Sequence, residues 1–262
     1  MYQPMFRKKP NGVPILGKKD IDAIGERLVA DFNYKAMLTP TEIDIDRFAH
    51  RYLGMKIDYR YLSHCGCYLG MTVFNDTDEI PVYNPELNCA EMTSAEAHTM
   101  IIDNSLLEDS QEHRYRFTAG HECSHDIFHA GYFGYDPNQI CMFSNRVPMV
   151  QCRIDTRGVK KKPVAEWTDA DRMEWQANYG ASAILMPRRM VQRLVEKVPV
   201  TNYAEMIMRV SDTFNVSFEA AQIRLKDVGR VPTDVNVPTA AMDFIDSLEA
   251  EPLGDRFEAF ES

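Results

Sequence analysis

At 262 residues, 45% of them hydrophobic and 26% charged, the chain is long enough to bury a sizeable core and has the composition of an ordinary globular protein. Its 39 acidic residues against 29 basic ones give a net charge of −10, which argues against sequence-independent binding of nucleic acid, where Lys and Arg must be in excess. No run approaches the roughly 20 apolar residues that span a bilayer, and the six scattered cysteines do not form a disulfide scaffold, so reduced thiols and a cytoplasmic setting are expected.

Residues 1–18 read as an irregular leader containing Pro4, Pro10, Gly12, Pro14 and Gly17. Their basic residues are not followed by an apolar segment, so they do not read as a secretory signal. The segment 20–32 sets Ile21, Ile24, Leu28 and Phe32 on one helical face. A second helix is predicted over 39–54, capped by Thr39 or Thr41 and stopped by Gly54. The period then shortens. Residues 55–62, 67–75, 79–84 and 98–105 are short and rich in β-branched and aromatic side chains, as strands of a small sheet are.

Helical spacing returns over 106–131, with Gly131 as the predicted stop. Residues 132–166 are rich in Gly, Pro and charge and read as a long excursion with some strand at 149–156. The segment 167–186 is predicted as a strong helix, with Thr168 as N-cap and acidic residues in its first turn. Helices 188–197, 201–214 and 217–228 follow. The organisation expected is a leader (1–18), one α+β domain (19–229) and an acidic C-terminal tail (230–262).

The chemistry concentrates in RFTAGHECSHDIFH, residues 116–129. On a helix, positions i and i+4 lie about 40° apart around the axis and about 6 Å apart along it, so His121 and His125 can aim at one ion. Glu122 is placed beside that ion, where a carboxylate can take a proton from an activated water. A catalytic zinc site commonly has three protein ligands and one open position. His129 is one turn past His125, about 12 Å along the axis from His121, too far to share the ion easily. It reads as a supporting group or a helix-end cap. A glutamate on a second helix is the other source, and EWQAN offers Glu174, with Asn178 one turn on. Cys123 reads as a small buried filler. Cys65, Cys67, Cys141 and Cys152 lack the two-residue spacing of a second zinc site.

These two stretches together resemble the ImmA/IrrE family of zinc metallopeptidases. Arg116, Phe117, Thr118, His121, Glu122 and His125 match the family's first motif. Glu174, Ala177, Asn178, Leu185, Met186 and Pro187 match its second, and Gly120 departs from the usual alanine. The resemblance spans about residues 40–200. It implies a zincin-like fold with a small twisted sheet and a helical C-terminal half, and a gluzincin-type site. In that site His121, His125 and Glu174 hold Zn2+ and Glu122 is the general base. It also implies a narrow endopeptidase acting on a helix-turn-helix repressor, so freeing a mobile element or a stress response. His98, His129, Asn178, Tyr132 and Tyr135 are the candidates for oxyanion stabilisation or metal support. No direct contact with nucleic acid or membrane is expected. The rival expectation is a zinc-stabilised module that sequesters a regulator without cutting it, and a degenerate hydrolase of a small amide is a third.

Overall fold

The structure, a computed structural model, describes residues 1–134, 149–153, 163–199 and 201–238. Tyr135, Cys141 and most of the acidic tail lie outside the described residues.

The first helix, α1 (Lys18–Phe32), buries Ile21, Ile24 and Leu28 along one stripe, as its spacing requires. The second, α2 (Ile45–Arg47), begins later than Thr39 or Thr41 would set it. Asp44 is the cap, its side chain accepting from the Arg47 amide at 2.9 Å. The chain continues directly as a π-helical turn, Phe48–Leu53, and stops at Gly54 with φ 82°.

Among the described residues, six strands follow in two sheets. In the larger, β1 (Lys56–Arg60) pairs parallel with β5 (Thr99–Asp103). Strand β2 (Tyr68–Val73) runs antiparallel to β5, and β6 (Met149–Arg153) antiparallel to β2. The order is β1-β5-β2-β6. The smaller sheet is a hairpin of β3 (Thr77–Asn84) and β4 (Cys89–Ala95). Strand β4 has no counterpart among the strands read from the sequence. Its residues are mostly exposed and polar, so it lacks the apolar signal that marks a buried strand.

Two layers of side chains cover the larger sheet. Met71, Val73 and Ile101 meet Leu62 and Ile80 in a small cluster under the hairpin. Met100 and Ile102 belong to the main core, which they share with the helices. Helix α3 (Glu112–Phe133) carries the first motif and lies against β2 and β5. It passes through Gly131, its expected stop, and ends at Phe133. There Phe74 stacks on Phe133 at 5.0 Å and Asn75 donates to the Phe133 carbonyl, so contacts with the sheet hold the last turn. Arg116, buried, donates to the carbonyls of Ile43, Phe214 and Asn215 and ties the start of α3 to two distant segments.

The C-terminal half is helical: α4 (Asp169–Leu185), α5 (Arg188–Val195), α6 (Tyr203–Phe214) and α7 (Phe218–Asp227). Thr168 caps α4 through the Asp171 amide, in a capping box. Helices α3 and α4 are antiparallel neighbours, since Gly120 faces Ala181 while His129 faces Gln176. Glycines let the two approach closely. A Cβ at Gly180 would lie 2.5 Å from Ser124 Oγ and 2.7 Å from Phe128 Cε2. The architecture is α+β, with small sheets and a helical C-terminal half.

Candidate metal centre

One helical turn separates His121 from His125 on α3, and both are fully buried. Their rings lie 4.6 Å apart between centroids, with the two Nε2 atoms 2.9 Å apart. From α4, Glu174 sets Oε2 3.5 Å from His121 Nε2 and Oε1 3.4 Å from His125 Nε2. One ligand atom from each of the three lies within 4.8 Å of the others. The antiparallel helix pair brings together residues 49 positions apart that neither helix could join alone.

The hydrogen bonds around His121 decide which nitrogen holds its proton. Asn178 donates through Nδ2 to the Glu174 carbonyl at 3.0 Å, which turns its Oδ1 toward His121 Nδ1 at 3.2 Å. That oxygen only accepts, so Nδ1 carries the hydrogen and Nε2 the lone pair. The lone pair, His125 Nε2 and the Glu174 carboxylate converge on one region. Three electron-rich groups this close repel one another unless a cation lies between them, and two imidazoles with a carboxylate are the donor set that zinc takes. The residues fit the ion that the resemblance implies.

Burial alone would raise the Glu174 carboxyl, but the two histidines beside it, His121 and His125, outweigh that and hold the group below the ordinary carboxylate range. Burial pushes His125 down, so its ring is neutral, the form that binds a metal. His129, also fully buried, is lowered to about 3 by burial and then by His125. Its Nδ1 faces His125 Nδ1 at 2.9 Å.

Glu122, fully buried, meets strand β2 of the sheet. Thr72 of β2 donates to its Oε2 at 2.5 Å, and Oε1 is buried with no hydrogen-bond partner. Gly70, two residues before Thr72, leaves the space: a Cβ there would lie 2.6 Å from Oε1. Burial raises the Glu122 carboxyl to about 7, against the lowering effects of His121 and the Thr72 bond. Gly70 and Thr72 were not singled out from the sequence. A glycine and a threonine on one face of an otherwise apolar strand are the signal that points to them.

The other residues named from the sequence fall into two groups. His129 and Asn178 touch the two histidines directly. His98 has its ring nitrogens engaged by Asp126 Oδ1 and the Leu53 carbonyl, both at 3.0 Å, which leaves neither free to stabilise an oxyanion. Tyr132 stands half-buried beside Gly12 and against Phe133. Cys123 is fully buried, its thiol pushed up by that burial.

The family model of the IrrE N-terminal-like domain, Peptidase_M78, matches residues 160–226. This stretch is about a quarter of the chain. It holds Glu174 and Asn178, while His121, Glu122 and His125 lie before it. The match supports the ImmA/IrrE resemblance and a peptidase. No curated protein matches the chain.

Proposed function

We propose, from the ImmA/IrrE family relationship that the match over residues 160–226 supports, that the chain is a zinc-dependent endopeptidase of narrow specificity whose substrate is a helix-turn-helix repressor. His121, His125 and Glu174 are the ligands and Glu122 is the general base. The observation that carries the reading is the convergence of two imidazole nitrogens and a carboxylate beside a buried glutamate with an unpartnered oxygen.

Bound there, zinc supplies Lewis acidity that polarises a peptide carbonyl and makes water a stronger acid. The chain's own residues do the rest. Glu122 accepts a proton from the attacking water at Oε1, the oxygen with no other partner, while the Thr72 hydroxyl holds Oε2. It then delivers that proton to the leaving amine. Asn178 and His129 hold the ligand rings in orientation. Among the described residues no helix is long and apolar enough to cross a membrane. The net charge of −10 favours a protein substrate over direct contact with nucleic acid.

The test is incubation of the zinc-loaded protein with a helix-turn-helix repressor encoded beside it, wild type against Glu122→Gln. A cleavage product from the wild type alone, with equal zinc content in both, is the expected result. Full cleavage by Glu122→Gln removes Glu122 from the mechanism. A stable complex without product in either would favour sequestration instead.

A further inference from the structure

Gln176 lies between Glu174 and Asn178 on α4 and is 3% exposed. Its two amide ends face different partners. Nε2 donates to the Pro14 carbonyl at 3.1 Å, and Oε1 lies 3.0 Å from His129 Nε2. A proline carbonyl can only accept, so the amide is oriented with its NH2 toward Pro14 and its oxygen toward His129. His129 must then carry its hydrogen on Nε2, and its Nδ1 is an acceptor. That acceptor lies 2.9 Å from His125 Nδ1, which must be the donor. The remaining nitrogen, His125 Nε2, is thereby left as a bare lone pair facing His121 and Glu174. A single direction of hydrogen bonding runs from His125 to the backbone of the N-terminal segment.

That segment is firmly placed. Lys8 and Pro14 form a β-bridge, and Val13 is fully buried. Phe6 meets Phe128 edge-on at 6.2 Å. Lys9 pairs with Asp169, and Asn11 donates to the same carboxylate at 2.7 Å. Asp169 is the first residue of α4, the helix that carries Glu174, Gln176 and Asn178. The segment and the metal-binding helix are therefore clamped at two points, Asp169 and Gln176.

We propose that Gln176, anchored by the Pro14 carbonyl, is a positioning residue of the metal centre: acting through His129, it fixes the tautomer and ring plane of His125. The N-terminal segment is then a working part of the centre rather than a leader ahead of it. The inference rests on His121, His125 and Glu174 being the ligands. The physical reason is that a histidine binds metal through a deprotonated nitrogen, and the group bonded to the other nitrogen selects which one that is. Asn178 does this for His121 in one step. His125 needs three groups in series, because the nearest partner, His129, is itself ambivalent until Gln176 assigns its proton.

Zinc affinity, measured by competition with a chromophoric chelator, tests this, with the thermal midpoint of the metal-free protein as the fold control. Gln176→Leu, which removes both ends of the amide, is expected to weaken zinc binding about 10- to 100-fold. Gln176→Glu keeps an acceptor for His129 and loses only the donor to Pro14, so it is expected to bind zinc more tightly than Gln176→Leu does. His129→Leu with and without Gln176→Leu should agree within about twofold if Gln176 acts through His129, since the Asp169 clamp still holds α4; a further large loss in the double variant would show that Gln176 acts through α4 instead and would overturn the proposal. Wild-type affinity in Gln176→Leu, or equal losses in the Leu and Glu variants, would overturn the proposal. If the wild type itself binds no zinc, the ligand reading fails first and the proposal falls with it.

Discussion

Thr72 and Glu122 meet where the sheet touches α3, the hydroxyl of one 2.5 Å from the carboxyl oxygen of the other. The same hydroxyl lies 3.2 Å from the Glu122 carbonyl. Having one proton, it can give that proton to only one of them, and the shorter contact goes to the carboxylate. Glu122 is thus held by the strand, and His121, His125 and Glu174 are brought together by the helix pair. Thr72→Val keeps the shape and removes the hydroxyl. A lost hydrogen bond to a buried charged group costs about 1–3 kcal/mol, so kcat/KM should fall roughly 10- to 100-fold. Zinc content should not change. A variant with wild-type turnover would show that Thr72 does not hold the base.

Gly70→Ala should do more harm from the same strand. Its Cβ would lie 2.6 Å from Glu122 Oε1, 2.8 Å from Thr118 Cγ2 and 3.0 Å from Glu122 Cγ. All three belong to buried side chains with little room to move. Cleavage should drop by about 100-fold or more, since displacement of a base by a fraction of an ångström is costly. Zinc titration should still reach one equivalent, because His121, His125 and Glu174 are not among the atoms nearest to that Cβ.

Zinc should stabilise the fold, by about 2.7 kcal/mol when free zinc is 100 times the dissociation constant. Glu174→Gln removes the ligand charge that both imidazoles face at 3.4 and 3.5 Å. In that variant the rise in melting temperature on adding zinc should shrink or vanish. A full rise would show that Glu174 is no ligand. Calorimetry with and without zinc measures both.

The helix pair predicts opposite tolerance at two glycines. At Gly180 a Cβ would collide with Ser124 and Phe128 at 2.5–2.9 Å, so Gly180→Ala should destabilise by about 1–3 kcal/mol. At Gly120 the nearest atoms are Ala181 Cβ at 3.3 Å and Cα at 3.4 Å, tight but not closed. There the helix gains about 1 kcal/mol from alanine, which offsets the crowding, so Gly120→Ala should stay within about 1 kcal/mol of the wild type. Urea unfolding separates the two.

His98 gives a pH dependence away from the ligands. Its bond to Asp126 is the main cause that raises it from 6.5 to about 9, against burial. A raised histidine contributes stability that is fully present below its unfolded value, near 6.5, and is lost as pH climbs through about 9. The side chain is 43% exposed, so solvent screens part of the effect. His98→Asn tolerates the left-handed φ of 64° and removes the charge. The stability gap between wild type and this variant should be largest near pH 6 and close toward pH 10. A gap that does not change over that range would deny the ion pair.

Local rules were enough for some elements. Thr168 with Asp171 fixes the start of α4 within four residues, and the Ile21, Ile24 and Leu28 stripe fixes α1. They failed where a distant contact outweighs a local preference. Helix α3 runs through Gly131 because Phe74 and Asn75 hold Phe133. Strand β4 exists because β3 supplies its backbone partners, not because its own side chains ask for burial.

The same division holds at the centre. The i,i+4 spacing of His121 and His125 is a property of one helix, so the sequence by itself determines that two imidazoles share a face and that Glu122 stands beside them. Only the tertiary structure decides that Glu174 meets the two imidazoles, that Thr72 and Gly70 contact Glu122, and that Gln176 joins His129 to the Pro14 carbonyl. Those choices depend on which helix and strand meet α3 and which backbone carbonyl meets α4, and hydrogen bonds between groups 47 to 162 residues apart have no local signature.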